Sequence, residues 1–283
     1  MTTPQPISYD DYTPGEGIIC MLYGPSGSGK TEIAATAADT GEPTLILNTG
    51  EGMDTLFSPG FRARHPNCKP DIVDIREAFS GRGYIDTPIA YDMVFNVLEE
   101  NLDKKKYKTY ILDDLTSMRR SALAKGVEIN FLADRSKSKA LSKKLKANVL
   151  AVQDFGMEMS LISQFISSSQ GIFKAEGCNL IILAHERLYY KKSGVGEPSV
   201  LYRIRPAITG EKFPDEIPQY FDVIGYCSTL HSGGKSIYRT KFSLDNMILA
   251  KNRWGGMGYD DVVQDFNFST LFSNVKSYTT KRK

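Results

Sequence analysis

Gly24-Pro25-Ser26-Gly27-Ser28-Gly29-Lys30-Thr31 is the stretch that decides the fold. An apolar run, IICMLY over residues 18–23, leads into it, and a helix-compatible segment, 30–38, leads out and stops at Asp39-Thr40-Gly41. Gly24, Gly27 and Gly29 let the backbone curl so that successive N–H groups point inward. Between a buried strand and a helix, this pattern reads as a phosphate-binding loop. Gly24, Pro25, Ser26, Gly27, Ser28 and Gly29 form the cradle, Lys30 reaches the β- and γ-phosphates, and the Thr31 hydroxyl holds Mg²⁺. The helix behind aims its positive dipole end at the same anion. The expected ligands are ATP and Mg²⁺.

Working outward, short apolar segments recur at 44–47, 71–75, 107–112 and 179–184. Helical patterns separate them, at 88–102 and over 115–176, the second interrupted by a charged region at 134–146. Strands alternating with helices predict a mainly parallel sheet covered on both faces. Residues 221–228, 236–242 and 247–250 read as strands with turn-length connections, His231-Ser232-Gly233-Gly234 being the first turn, so they extend the sheet antiparallel. Residues 187–206, with Gly194 and Gly196, read as a loop. The expected organisation is an N-terminal arm over 1–16, one α/β domain over 17–276 and a basic disordered tail over 277–283.

Composition narrows the classes. In 283 residues, 41% are apolar and 24% charged, as in an ordinary globular protein with a sizeable core. The net charge of +2 requires any polyanion site to come from local clustering. No apolar run reaches the ~18 residues of a membrane span. The polar, acidic start lacks the features of a signal peptide. Cys20, Cys68, Cys178 and Cys227 show no paired spacing, and the His65/Cys68 pair lacks the second pair a structural zinc needs. The expected setting is a reducing cytoplasm, with no membrane partner.

A phosphate-binding loop that hydrolyses ATP needs a carboxylate at the end of a neighbouring strand to hold the Mg²⁺ shell. Asp113 ends the run Tyr107-Lys108-Thr109-Tyr110-Ile111-Leu112 and is the expected metal residue. Asp114 either orients water or caps the next helix. A second candidate for the water-orienting base is Glu51, in Asn48-Thr49-Gly50-Glu51-Gly52. In a parallel sheet, the loop that holds it emerges at the same edge as the phosphate-binding loop.

These residues together resemble a RecA-like ATPase core over roughly residues 17–260. The resemblance implies a three-layer RecA-like P-loop NTPase fold. Asn48-Thr49-Gly50-Glu51-Gly52 is similar to the family's segment bearing the catalytic glutamate, with Asn for Asp and one extra glycine. Where the family has Asn-Gln as a γ-phosphate sensor, Leu180-Ile181-Ile182-Leu183-Ala184-His185 has Ala-His, which implies His185 as the sensor. Ala250-Lys251-Asn252-Arg253 resembles the basic segment that family members insert into a neighbour's ATP site, which implies that Lys251 and Arg253 act in trans in a homo-oligomer. The set looks most like small phage-encoded RecA-like proteins of single-strand annealing and recombination. That implies a bacterial host cytoplasm and phage or host recombination and replication proteins as partners.

Two basic segments fit a nucleic-acid surface. Between Arg119 and Lys146 lie nine Lys or Arg, Arg119, Arg120, Lys137, Lys139, Lys143 and Lys144 among them, against Glu128 and Asp134. Arg187, Lys191, Lys192, Arg203 and Arg205 interleave with Tyr189, Tyr190 and Tyr202 directly after His185. Basic groups that track a backbone, with aromatics for stacking, suit single-stranded DNA. The expected protein is an ATP-hydrolysing single-strand DNA-binding recombinase or annealing protein. The same core also fits a DNA motor or helicase-loading ATPase, and an ATP-gated scaffold with slow turnover.

Overall fold

The computed structural model describes residues 17–77, 88–132, 152–192, 194, 198–232, 235–253 and 262–280. The expected N-terminal arm, with most of the charged region after Arg120, lies outside them.

Six parallel strands carry the domain: β1 (Ile19–Gly24), β2 (Thr44–Asn48), β3 (Asp71–Asp74), β4 (Thr109–Asp113), β5 (Asn179–Lys191) and β7 (Val223–Ser232). Their order across the sheet is β7-β1-β5-β4-β2-β3. Among the described residues β8 (Lys235–Lys241), β9 (Lys251–Asn252) and β10 (Val262–Gln264) pair antiparallel on the β7 side, and β6 (Val200–Pro206) pairs antiparallel with the extension of β5. Alternation along each strand sorts the core into two. Ile19, Met21 and Tyr23 face one layer, and Cys20 and Leu22 the other.

Helices α1 (Lys30–Ala35), α2 (Pro59–Arg64) and α7 (Phe268–Thr280) cover one face. Helices α3 (Ala90–Asp103), α4 (Leu115–Leu132) and α5 (Val152–Ala175) cover the other. A short α6 (Phe213–Glu216) follows β6. The expected three-layer α/β fold with a mainly parallel sheet is thus the observed one.

Four local expectations are corrected. Residues 187–206 are no loop: β5 runs on to Lys191 and returns as β6, with a bulge at Tyr189/Tyr190. The expected strand at 247–250 shrinks to a bridge at Ile248, and the pairing falls on β9. β7 carries through His231 and Ser232, so the turn begins later than expected. Helix α7 reaches Thr280, taking in the first residues of the expected tail, because Phe268, Leu271 and Val275 are buried against the α1 layer.

Candidate nucleotide and magnesium site

Strand β1 ends at Gly24, and the loop that follows turns directly into α1. Only glycine fits at position 24, since a β-carbon there would lie 2.1 Å from the Cys227 carbonyl oxygen of β7. Lys30 is buried at 8% exposure, and its Nζ donates to the carbonyls of Gly24 at 3.1 Å and Pro25 at 2.8 Å. Burial holds its ammonium below the ordinary lysine range. A phosphate between the loop amides and Lys30 would exchange these neutral acceptors for charged ones, a stronger bond.

Asp113 ends β4, with β5 lying between it and β1. Thr31 Oγ1 donates to Asp113 Oδ2 at 2.7 Å. Burial pushes the Asp113 carboxyl up to about 6, with Asp114 adding to the rise and the Thr31 hydrogen bond opposing it. Asp114 points elsewhere. Its Oδ1 accepts the Ser117 N–H at 2.5 Å, which makes it the cap of α4. Its Oδ2 lies 3.3 Å from His185 Nε2. Burial works against its ionisation, but the hydrogen bonds from His185 and Ser117 outweigh that and hold it below the usual carboxylate range.

His185 lies beside the start of the phosphate-binding loop. In the β1–β5 ladder it is the register partner of Gly24, and its N–H donates to Thr116 Oγ1 at 3.0 Å. The loop after β2 closes over Thr31 and Asp113. Thr49 and Gly50 donate their N–H groups to the Asp113 carbonyl at 2.7 and 3.1 Å. A β-carbon on Gly52 would lie 3.0 Å from Thr31 Oγ1 and 3.5 Å from Asp113 Oδ2. Glu51, between Gly50 and Gly52, is exposed.

The residues present fit Mg²⁺. A hydroxyl and a carboxylate oxygen are hard donors of the kind it takes, and it needs few protein ligands because it keeps its waters. Glycine at position 52 leaves the approach to both open.

Lys251 and Arg253 lie at the opposite edge of the sheet, beside the start of β7. Lys251 Nζ donates to the Pro218 carbonyl at 2.5 Å. Arg253 pairs at 2.7 Å with Asp222, which also accepts from Lys174 and from the Ile19 N–H. Neither reaches the phosphate-binding loop of its own chain.

Of the nucleic-acid candidates, Arg119 is paired with the buried Glu158 and Arg120 is exposed. Lys137, Lys139, Lys143 and Lys144 lie outside the described residues. Arg187, Lys191 and Lys192 are exposed. Arg203 and Arg205 share Asp215 at 2.7 Å each. Arg205 is off the surface at 8% exposure, with Nη1 on the Met247 carbonyl.

Sequence reasoning missed Thr116, Glu186 and Tyr226. The Tyr226 hydroxyl donates to Glu186 Oε2 at 2.9 Å, joining β7 to β5 across β1. Thr116-Ser117, one residue beyond Asp113-Asp114, carried a readable helix-start signal. The Glu186–Tyr226 pair is 40 residues apart and carried none.

The fold and this site define a P-loop nucleotide-binding α/β protein. A family model described as an AAA domain matches residues 16–254, and the chain belongs to that family of ATPases. Among solved structures, the flagellar accessory protein FlaH from Methanocaldococcus jannaschii is similar over 90% of this chain and 86% of its own, at 10% identity and a TM-score of 0.42. No curated protein matches the chain.

Proposed function

We propose that this chain hydrolyses Mg·ATP and couples the γ-phosphate to a single-stranded DNA surface, in strand annealing or recombination of the phage type. One observation carries the reading: β5 is unbroken from Asn179 to Lys191. It leaves the sheet at His185, beside the phosphate-binding loop, and becomes the hairpin that bears Arg187, Tyr189, Lys191 and Arg203. A phosphate contact at His185 acts on the root of that hairpin.

Bound Mg·ATP supplies the transferable phosphoryl group and the cation that offsets its charge. Lys30 and the loop amides bind the phosphate tail. Thr31 and Asp113 hold the cation. Glu51, exposed and next to Gly52, orients the attacking water and accepts its proton. Asp114 holds the His185 ring through Nε2, which leaves Nδ1 to meet the phosphate. Lys251 and Arg253 line the edge that a head-to-tail neighbour would meet. The Arg253 side chain remains 46% exposed despite its pair with Asp222, which supports a role across such a junction.

The test is ATP turnover with and without single-stranded DNA, at low and moderate salt. The reading expects stimulation that weakens as salt rises, because phosphate neutralisation releases counterions. Turnover indifferent to DNA at both salts, with no DNA binding, would leave an ATP-gated scaffold as the better account.

A further inference from the structure

Strands β5 and β7 flank β1, and both continue past its end at Gly24, to Lys191 and to Ser232. The phosphate-binding loop therefore lies in a trough between two hairpins. The β5–β6 wall carries His185. The β7–β8 wall is applied to the loop itself. The Cys227 carbonyl abuts Gly24, and Thr229 Oγ1 donates to the Gly27 carbonyl at 3.4 Å. Tyr238, opposite Thr229 in the ladder, lays its ring on Gly29. A β-carbon on Gly29 would lie 2.9 Å from Tyr238 Cδ1, 3.2 Å from Cε1 and 3.4 Å from Cγ.

Gly29 is the left-handed residue, φ 82°, directly before Lys30. Its conformation sets the direction in which the Lys30 amide and the first turn of α1 point. A glycine there is free to leave that conformation, since it pays little for others. A ring packed on its Cα limits the swing. Tyr238 is half-buried, and its hydroxyl has no hydrogen bond among the described residues. The contact is therefore made by the ring.

We propose that Tyr238 is a positioning residue for nucleotide binding: its ring holds Gly29, and through it the Lys30 amide, in the phosphate-binding arrangement. It acts on the phosphate tail and not on the base. The inference rests on the loop's phosphate-binding role and is independent of the nucleic-acid partner.

The test compares the parent with Tyr238→Phe, Tyr238→Val and Tyr238→Leu. It measures binding of Mg·ATP and of inorganic tripolyphosphate by calorimetry, together with KM and kcat. Removing the ring weakens both ligands by the same factor, roughly tenfold for an aromatic packing contact. KM rises by that factor while kcat stays within about twofold, because the contact is the same in ground and transition states. Tyr238→Phe behaves like the parent. Valine suits a strand position, and leucine serves as the ring-free variant should valine not fold. Parent-like affinity without the ring overturns the proposal. So does a loss confined to ATP, which would make Tyr238 a base contact, and so does a failure of phenylalanine to substitute. A parent protein that binds neither ligand would instead defeat the phosphate-binding reading itself.

Discussion

Thr31 and Asp113, 82 residues apart in the chain, meet in a 2.7 Å hydrogen bond at the edge of the sheet. The partners come from the two motifs that sequence alone singled out, and a strand that belongs to neither motif, β5, separates their strands. Their meeting makes one hydroxyl and one carboxylate available to a cation beside the phosphate-binding loop.

Burial of that carboxylate works against the stability of the fold. Its folded value of about 6 lies above the reference 3.8, so the folded state binds the proton more tightly than the unfolded one. Metal-free stability must then fall as pH rises through that window. Asp113→Asn removes a penalty of at most about 3 kcal/mol at neutral pH. Thermal melts of metal-free protein should show the variant at least as stable as the parent at pH 7.5, with the advantage shrinking towards pH 4. Its Mg²⁺-dependent ATP turnover should be lost.

Glu51→Gln should retain Mg·ATP affinity and lose turnover by about 100-fold or more, the scale of general-base contributions. Single-turnover hydrolysis checks this. An unchanged rate would remove Glu51 as the base.

His185→Ala should leave Mg·ATP binding nearly intact and abolish stimulation of turnover by single-stranded DNA. The parent and variant rates, each with and without DNA, give the comparison. Stimulation that survives would break the link between the phosphate edge and the β5–β6 hairpin.

If Arg253 completes a neighbour's site, Arg253→Ala should cost at least about 1,000-fold in kcat, as for arginines supplied in trans. Mixing it with inactive Glu51→Gln protein should restore part of the rate. Each Arg253→Ala site can then meet an intact Arg253 from the other variant. No recovery on mixing would confine Arg253 to its bond with Asp222.

Asp222 offers a control. It is 1% exposed and accepts from Ile19, Lys174 and Arg253. Asp222→Ala should destabilise the fold by about 1–3 kcal/mol, as expected when the buried Ile19 N–H loses its acceptor. A melt should fall by roughly 5 °C. Mg·ATP affinity at 25 °C should hold, because Asp222 lies at the sheet edge away from the loop.

The parallel core was legible because β1, β2 and β4 are contiguous apolar runs buried throughout, as is the first half of β5, and the loops after them carry the glycines and aspartates. Asp113 could be singled out because it ends an apolar run, and Glu51 because parallel strands deliver their following loops to one edge, whereas His185 came from the resemblance to a sensor strand. The β5–β6 hairpin was illegible for the converse reason. Past His185 the strand leaves the core, so Arg187, Leu188 and Tyr190 are exposed and no burial pattern marks it. Helix α7 was missed although Phe268, Leu271 and Val275 carry helical spacing, because the basic residues after them read as a tail. The contact of Tyr238 with Gly29 depends on β7 lying next to β1, a pairing of strands about 200 residues apart that no local pattern encodes.

The most direct test of the account is the affinity of Lys30→Ala protein for Mg·ATP, measured by calorimetry beside the parent. Loss of the buried ammonium should weaken binding at least roughly tenfold while the fold melts normally. Equal affinity in the two proteins would contradict the account.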